Sequence, residues 1–184
     1  MPLAIRIKSR VAAAVAVGCA GLALASVAEA VDLRDWGRKY PASERFVVLA
    51  QFSNQAVLDR ETQLVWQRSP DSIRRIWRDA ESLCLFSSTG GRKGWRLPSR
   101  SEFMSLIDPA GSASIKLPTG HPFVGVNGNG IGYYWTSDPY IPSTVPPAGY
   151  SNSMANVYIT TGGVYISNMS SEAAIAWCVR GHGQ

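Results

Sequence analysis

The sequence predicts an α+β domain, and three observations carry that prediction. Two apolar runs separated by a polar turn occupy residues 56–67, one apolar face recurs at spacings of three and four through residues 73–84, and short alternating runs close the chain. Between them lie stretches rich in Gly, Pro, Ser and Asn, so long irregular loops are part of the expected architecture.

In chain order, residues 1–30 have the form of a signal peptide. Arg6, Lys8 and Arg10 precede an Ala/Val-rich apolar stretch from Val11 to Val27, and Ala28-Glu29-Ala30 supplies the small residues of a cleavage site. Export to the periplasm or the outside of the cell is therefore expected, with no membrane span left after cleavage. A lipidated Cys19 is the lesser alternative, because apolar sequence runs on well beyond it. The leader also accounts for part of the basic charge. Lys+Arg falls from 18 to 15 and Asp+Glu from 13 to 12 when it is removed, so net +5 becomes +3. That balance does not argue for nucleic acid, although it suits an acidic polysaccharide.

Residues 31–45 are mixed and charged and are expected to be a linker or a loosely attached entry segment, and residues 46–184 the folded domain. Phe46-Val47-Val48-Leu49 is a candidate strand. Ala56–Asp59 and Gln63–Gln67 form a predicted hairpin, whose turn Asp59 and Thr62 would tie by side-chain hydrogen bonds. Pro70-Asp71-Ser72 would open a helix burying Ile73, Ile76, Trp77, Ala80, Leu83 and Cys84. Ser99 followed by Glu102 has the capping-box form and would start a second helix over residues 100–107, stopped at Asp108-Pro109. Loops at 110–132 and 139–149 flank a strand at 133–136. A meander follows, with strands at 155–160 and 164–167 and a last strand at 173–180 that is apolar on both faces.

Between the two helices, Gly90-Gly91-Arg92-Lys93-Gly94-Trp95-Arg96-Leu97-Pro98 raises the question of an anion-binding loop. It is not a phosphate-binding P-loop, since Gly94 is followed by Trp95 rather than Lys. The glycines suit turns and Trp95 and Leu97 suit the core. The cations are left over: Arg92, Lys93 and Arg96 join Arg74, Arg75 and Arg78 as candidate ligand-binding residues for an anionic glycan, with a solvated charged face as the alternative. No catalytic triad, metal-ligand spacing or cofactor motif is present. His121 and His182 lack partners at useful spacing. Asp138, near Trp135 and Tyr140, could serve a sugar, but Trp135 fits the core better. The chain without its leader keeps two cysteines, Cys84 and Cys178, which in an oxidising compartment fit one structural disulfide rather than a reactive thiol.

Taken in order, these landmarks resemble a known bacterial family. An acidic turn before Leu64 and Trp66, Trp77-x-x-Ala80-x-x-x-Cys84, Gly94-Trp95-Arg96-Leu97-Pro98, Glu102 with Leu106 and Asp108, Tyr134-Trp135-Thr136-Ser137, and Trp177-Cys178-Val179-Arg180-Gly181 are similar to the family named after the C-terminal domain of the Legionella collagen-like adhesin, Lcl. The resemblance spans roughly residues 57–181. It implies a C-type-lectin-like fold with two helices on small antiparallel sheets, and a bridge from the first helix to the last strand. It further implies an exported binding module, in the namesake an adhesin domain that recognises sulfated polysaccharide. This chain lacks collagen-like repeats, carries Gln63 where relatives usually have Gly, and has none of the Glu-Pro-Asn, Gln-Pro-Asp or Trp-Asn-Asp signatures of calcium-dependent lectins. A protein-interaction or structural envelope module, with a partner protein at the loops, is the alternative, and an enzyme related to formylglycine-generating oxidases a more distant one.

Overall fold

The structure, a computed structural model, describes residues 40–126, 132–140 and 152–181. The leader with Cys19, residues 31–39, most of the 139–149 loop, part of the 110–132 loop and His182 lie outside the described residues. Two sheets organise the domain. The first has the order β1-β2-β3-β9, from Phe46–Val48, Ala56–Asp59, Leu64–Gln67 and Val179–Gly181; the second has the order β4-β8-β5-β6-β7, from Arg74–Arg75, Ala174–Ile175, Tyr133–Pro139, Ser153–Tyr158 and Gly163–Asn168. Pairing is antiparallel except for the single parallel match of Tyr134 with Ile175 between β5 and β8. Among the described residues three short α-helices, α1 at Ala42–Arg45, α2 at Trp77–Phe86 and α3 at Arg100–Ser105, and two 3-10 turns at Ala50–Phe52 and Thr89–Gly91 complete the set. The fold is thus α+β with antiparallel sheets, and among the described residues no helix is long and apolar enough to cross a membrane.

The hairpin forms as its sequence directs. Ala56 pairs with Gln67 and Asp59 with Leu64, while Asp59 accepts hydrogen bonds from the Glu61 backbone N–H at 3.0 Å and the Thr62 hydroxyl at 2.9 Å. Gln63 closes the turn at φ 59, a left-handed conformation that glycine adopts without steric cost. Its side chain compensates locally by donating to the Arg60 carbonyl at 2.8 Å.

Ordered packing starts before the expected strand. Ala42 is buried, and Arg45 reaches the hairpin turn from α1 with a two-pronged ion pair, Nε to Asp59 Oδ1 at 2.9 Å and Nη2 to Asp59 Oδ2 at 2.8 Å. The same guanidinium donates to the Ser105 carbonyl at 2.7 Å and meets Glu61 at 2.9 Å. Residues 42–45, placed by the sequence in the linker, therefore belong to the packed domain.

Two helix expectations are corrected. The first helix begins at Trp77, not Ser72, because Arg74 and Arg75 pair with Ile175 and Ala174 as β4. Asp71 does not cap a helix; it accepts from the Ile73 N–H and from Arg75. Ile73 consequently points outward at 56% exposure, whereas Ala80 and Cys84 are fully buried as anticipated. The second helix ends at Ser105, with the Ser99–Glu102 capping box complete and Phe103 and Leu106 buried.

The last strand is also divided. Residues 174–175 join the five-stranded sheet and 179–181 the four-stranded one, so one run of chain stitches both sheets. Its alternation still decides its packing. Ile175, Trp177 and Val179 enter a core with Val57, Trp66, Phe103, Tyr134 and Val157, and Ala174, Ala176 and Cys178 enter a second core with Val65, Ala80, Trp95 and Trp135. In that second core Cys84 of α2 is bridged to Cys178, with Cα atoms 5.4 Å apart and a sequence separation of 94. Closing so long a loop restricts the unfolded chain by about 4–5 kcal/mol in the chain-entropy picture.

Candidate functional site

Five of the six candidate cations lie in or beside α2 along the chain, and the sixth, Arg96, bridges to Val179 by its backbone and holds Glu102 of α3 by its side chain. Arg74 and Arg75 lie on β4 and Arg78 on the first turn of the helix, while Arg92 and Lys93 follow the far end of this ten-residue helix, itself about 15 Å long. Tryptophans fix both segments. The Trp135 indole donates to the Arg75 carbonyl at 2.7 Å, and that of Trp95 to the Arg92 carbonyl at 3.0 Å. Trp135 is itself completely buried, and Asp138 accepts the Arg100 N–H at the start of α3, so both serve the framework.

Neutralisation splits the six. Arg75 is paired with Asp71 at 2.6 Å, and Arg96 holds Glu102 through two hydrogen bonds of 2.7 Å each. The Glu102 hydrogen bonds raise the pKa of Arg96, against a smaller effect of burial. For Glu102, burial acts upward, but the hydrogen bonds from Arg96 and the Ser99 backbone, with the charge of Arg96, hold the carboxyl below its usual value. Arg74, Arg78, Arg92 and Lys93 are exposed, and among the described residues none of them is in a salt bridge. Arg74 is nevertheless positioned, its Nε donating to the Ala173 carbonyl at 2.7 Å; Lys93 donates to the Phe86 carbonyl at 3.2 Å, at the C-terminal end of α2 where a cation is favoured.

A seventh cation, outside the six candidates, stands out in the structure. Arg180 is only 2% exposed, and no carboxylate pairs with it among the described residues. Its guanidinium rests on aromatic rings, 5.6 Å from Phe52 and 6.0 Å from Trp95, and its Nε has no hydrogen-bond partner. Arg92 lies 5.8 Å over the same Phe52 ring. Burial, and after it the charge of Arg92, lower the pKa of Arg180. One signal pointed to it, a charged residue inside the otherwise apolar run 173–180, but as a landmark of Trp-Cys-Val-Arg-Gly it passed for framework.

Gly90 admits this arrangement. It lies at φ 63, and a Cβ there would come within 2.6 Å of Phe52, so the loop can close over the ring only without a side chain. The glycine-rich loop is therefore mixed: its glycines, Trp95 and Arg96 are architecture, and Arg92 and Lys93 are left facing solvent. Among the described residues no three His, Cys, Asp or Glu side chains gather as a metal site.

Fold and site together define a small disulfide-stapled α+β domain with a solvent-facing set of uncompensated cations held on a tryptophan-rich framework. The family model of the Lcl C-terminal domain matches residues 55–180, and the chain belongs to that family. No curated protein matches the chain.

Proposed function

We propose that this chain is an exported, non-catalytic binding module with a C-type-lectin-like arrangement, and that it recognises an acidic glycan through cations at both ends of α2. The observation that carries the reading is the pairing pattern: Arg74, Arg78, Arg92 and Lys93 stay exposed and, among the described residues, without a salt bridge, while neighbouring Arg75 and Arg96 are neutralised. Fixed cations without carboxylates offer charge-assisted hydrogen bonds to carboxylate or sulfate groups. The resemblance to the namesake's sulfated-polysaccharide domain points the same way. Export is supported by the form of residues 1–30 and by the disulfide, which persists in oxidising compartments. A non-catalytic role is supported by the same bridge, which occupies both thiols that formylglycine-generating-oxidase chemistry would need.

Elution from a heparin column, run beside a cation exchanger of matched charge density, tests this. The chain is expected to leave heparin at clearly higher salt than the exchanger, and Arg92→Ala with Lys93→Ala to remove most of the difference. Equal elution from the two columns would refute a shaped acidic-glycan site and turn attention to protein partners of the loops.

A further inference from the structure

The five-stranded sheet carries an aromatic wall that the cation pattern does not explain. Register sets Tyr133 of β5 opposite Tyr158 of β6, and their rings stack at 4.6 Å with 24° between planes. Tyr158 in turn faces Gly163 of β7, and Tyr165 sits two residues further along the same face. With no side chain at Gly163, the Tyr165 ring lies back towards the wall: a Cβ at Gly163 would come within 2.9 Å of Tyr165 Cε2. Tyr165 thereby meets Tyr133 at 5.5 Å and Tyr158 at 6.1 Å, both nearly perpendicular, and yet remains 43% exposed.

Tyr133 and Tyr165 of this wall line an open cleft of about 680 Å³, and Arg74, Ser171 and Glu172 line the same cleft. That volume lies within the range of small-ligand sites, and its mixture of aromatic surface with a few polar groups is theirs also. Arg74 enters it pre-positioned. Its Nε is spent on Ala173, which leaves the terminal amino groups of the guanidinium, and neither Arg74 nor Glu172 is in a salt bridge among the described residues. A cation and a carboxylate facing one cleft without pairing, beside half-exposed rings and a serine hydroxyl, are the groups needed to hold a ring with apolar C–H faces, several hydroxyls and one acidic substituent.

We infer that this cleft is a saccharide subsite that takes one acidic pyranose unit, carboxylated or sulfated. The sugar face packs on Tyr165 and Tyr133, the acidic group meets the free end of Arg74, and Ser171 and Glu172 receive hydroxyls. The inference rests on the acidic-glycan reading above and deepens it by adding shape selection to charge.

The test is calorimetric titration of the purified full chain with three probes: a heparin tetrasaccharide, tetragalacturonate and neutral cellotetraose. Both acidic probes are expected to bind at least roughly tenfold more tightly than cellotetraose, and Tyr165→Ala and Arg74→Ala each to weaken them roughly tenfold. Tyr165→Phe, which keeps the ring, should stay within about threefold of the parent. Glu172→Gln provides an exposed second probe of the cleft and should also weaken binding if hydroxyls are held there. Unchanged melting temperatures identify variants that fold. If Tyr165→Ala, Arg74→Ala and Glu172→Gln bind like the parent while Arg92→Ala weakens binding, the cleft inference falls and the acidic-glycan reading stands. If the parent binds neither acidic probe, both fall. Cellotetraose binding as tight as tetragalacturonate overturns the requirement for an acidic group.

Discussion

Arg45 and Arg180 are both buried guanidinium groups, 8% and 2% exposed, and they have opposite surroundings. Arg45 meets Asp59 with two hydrogen bonds, Glu61 with a third contact and the Ser105 carbonyl with a fourth, so its charge and its donors are answered within the fold. Arg180 has two aromatic rings, a like charge nearby, and an Nε without an acceptor. A buried charge that is paired is part of the framework, and breaking the pair is costly. A buried charge that is not paired is a standing electrostatic cost that a bound anion would relieve.

The largest expected effect falls on the paired side. Asp59→Ala leaves Arg45 buried without its main partner and strips the hairpin turn of two further hydrogen bonds, and it should cost about 3–5 kcal/mol of stability in urea unfolding. Arg180→Met, of similar volume and apolar, is the counterpart. It removes an uncompensated charge along with its ring contacts, so stability should change by no more than about 1 kcal/mol in either direction. A loss as large as that of Asp59→Ala would erase the distinction between the two arginines.

The third arginine ion pair sharpens the scale. Because the Glu102 carboxyl is held below its usual value, its contribution is fully present above the unfolded-state pKa of about 4.3 and fades as pH falls through the lower folded-state value. The stability difference between the parent and Glu102→Gln should therefore be flat from about pH 8 to pH 5 and shrink below about pH 4. Arg96 is 43% exposed on its side chain, so solvent screening makes this the smallest of the three effects. A difference that grows on acidification would show that Glu102 is not ionised in the folded state.

Much of the fold was legible because it depends on spacing along the chain. The 56–67 hairpin, the Ser99–Glu102 capping box and the alternation through 174–179 are all set by residues within a few positions of one another. The helix start was misread for the opposite reason. The apolar spacing at Ile73, Ile76 and Trp77 is helical, but a strand almost a hundred residues later supplies backbone partners to Arg74 and Arg75 and draws them into a sheet. The candidate site met the same limit: the sequence collected the cations by proximity, and the fold neutralised Arg75 and Arg96 through the carboxylates they reach.

By itself, then, the sequence determined the α+β class, the family, the disulfide pair and the two-faced final run, since local periodicity, turn chemistry and cysteine number need no knowledge of distant neighbours. Only the tertiary structure decided that Arg75 and Arg96 are neutralised, that Arg180 is buried without an acid among the described residues, that Tyr133, Tyr158 and Tyr165 form one wall, and that Tyr133 and Tyr165 share a cleft with Arg74. Charge compensation and cleft shape arise from contacts between residues far apart in the chain, and the sheet register that creates those contacts is fixed by the packing of the whole domain.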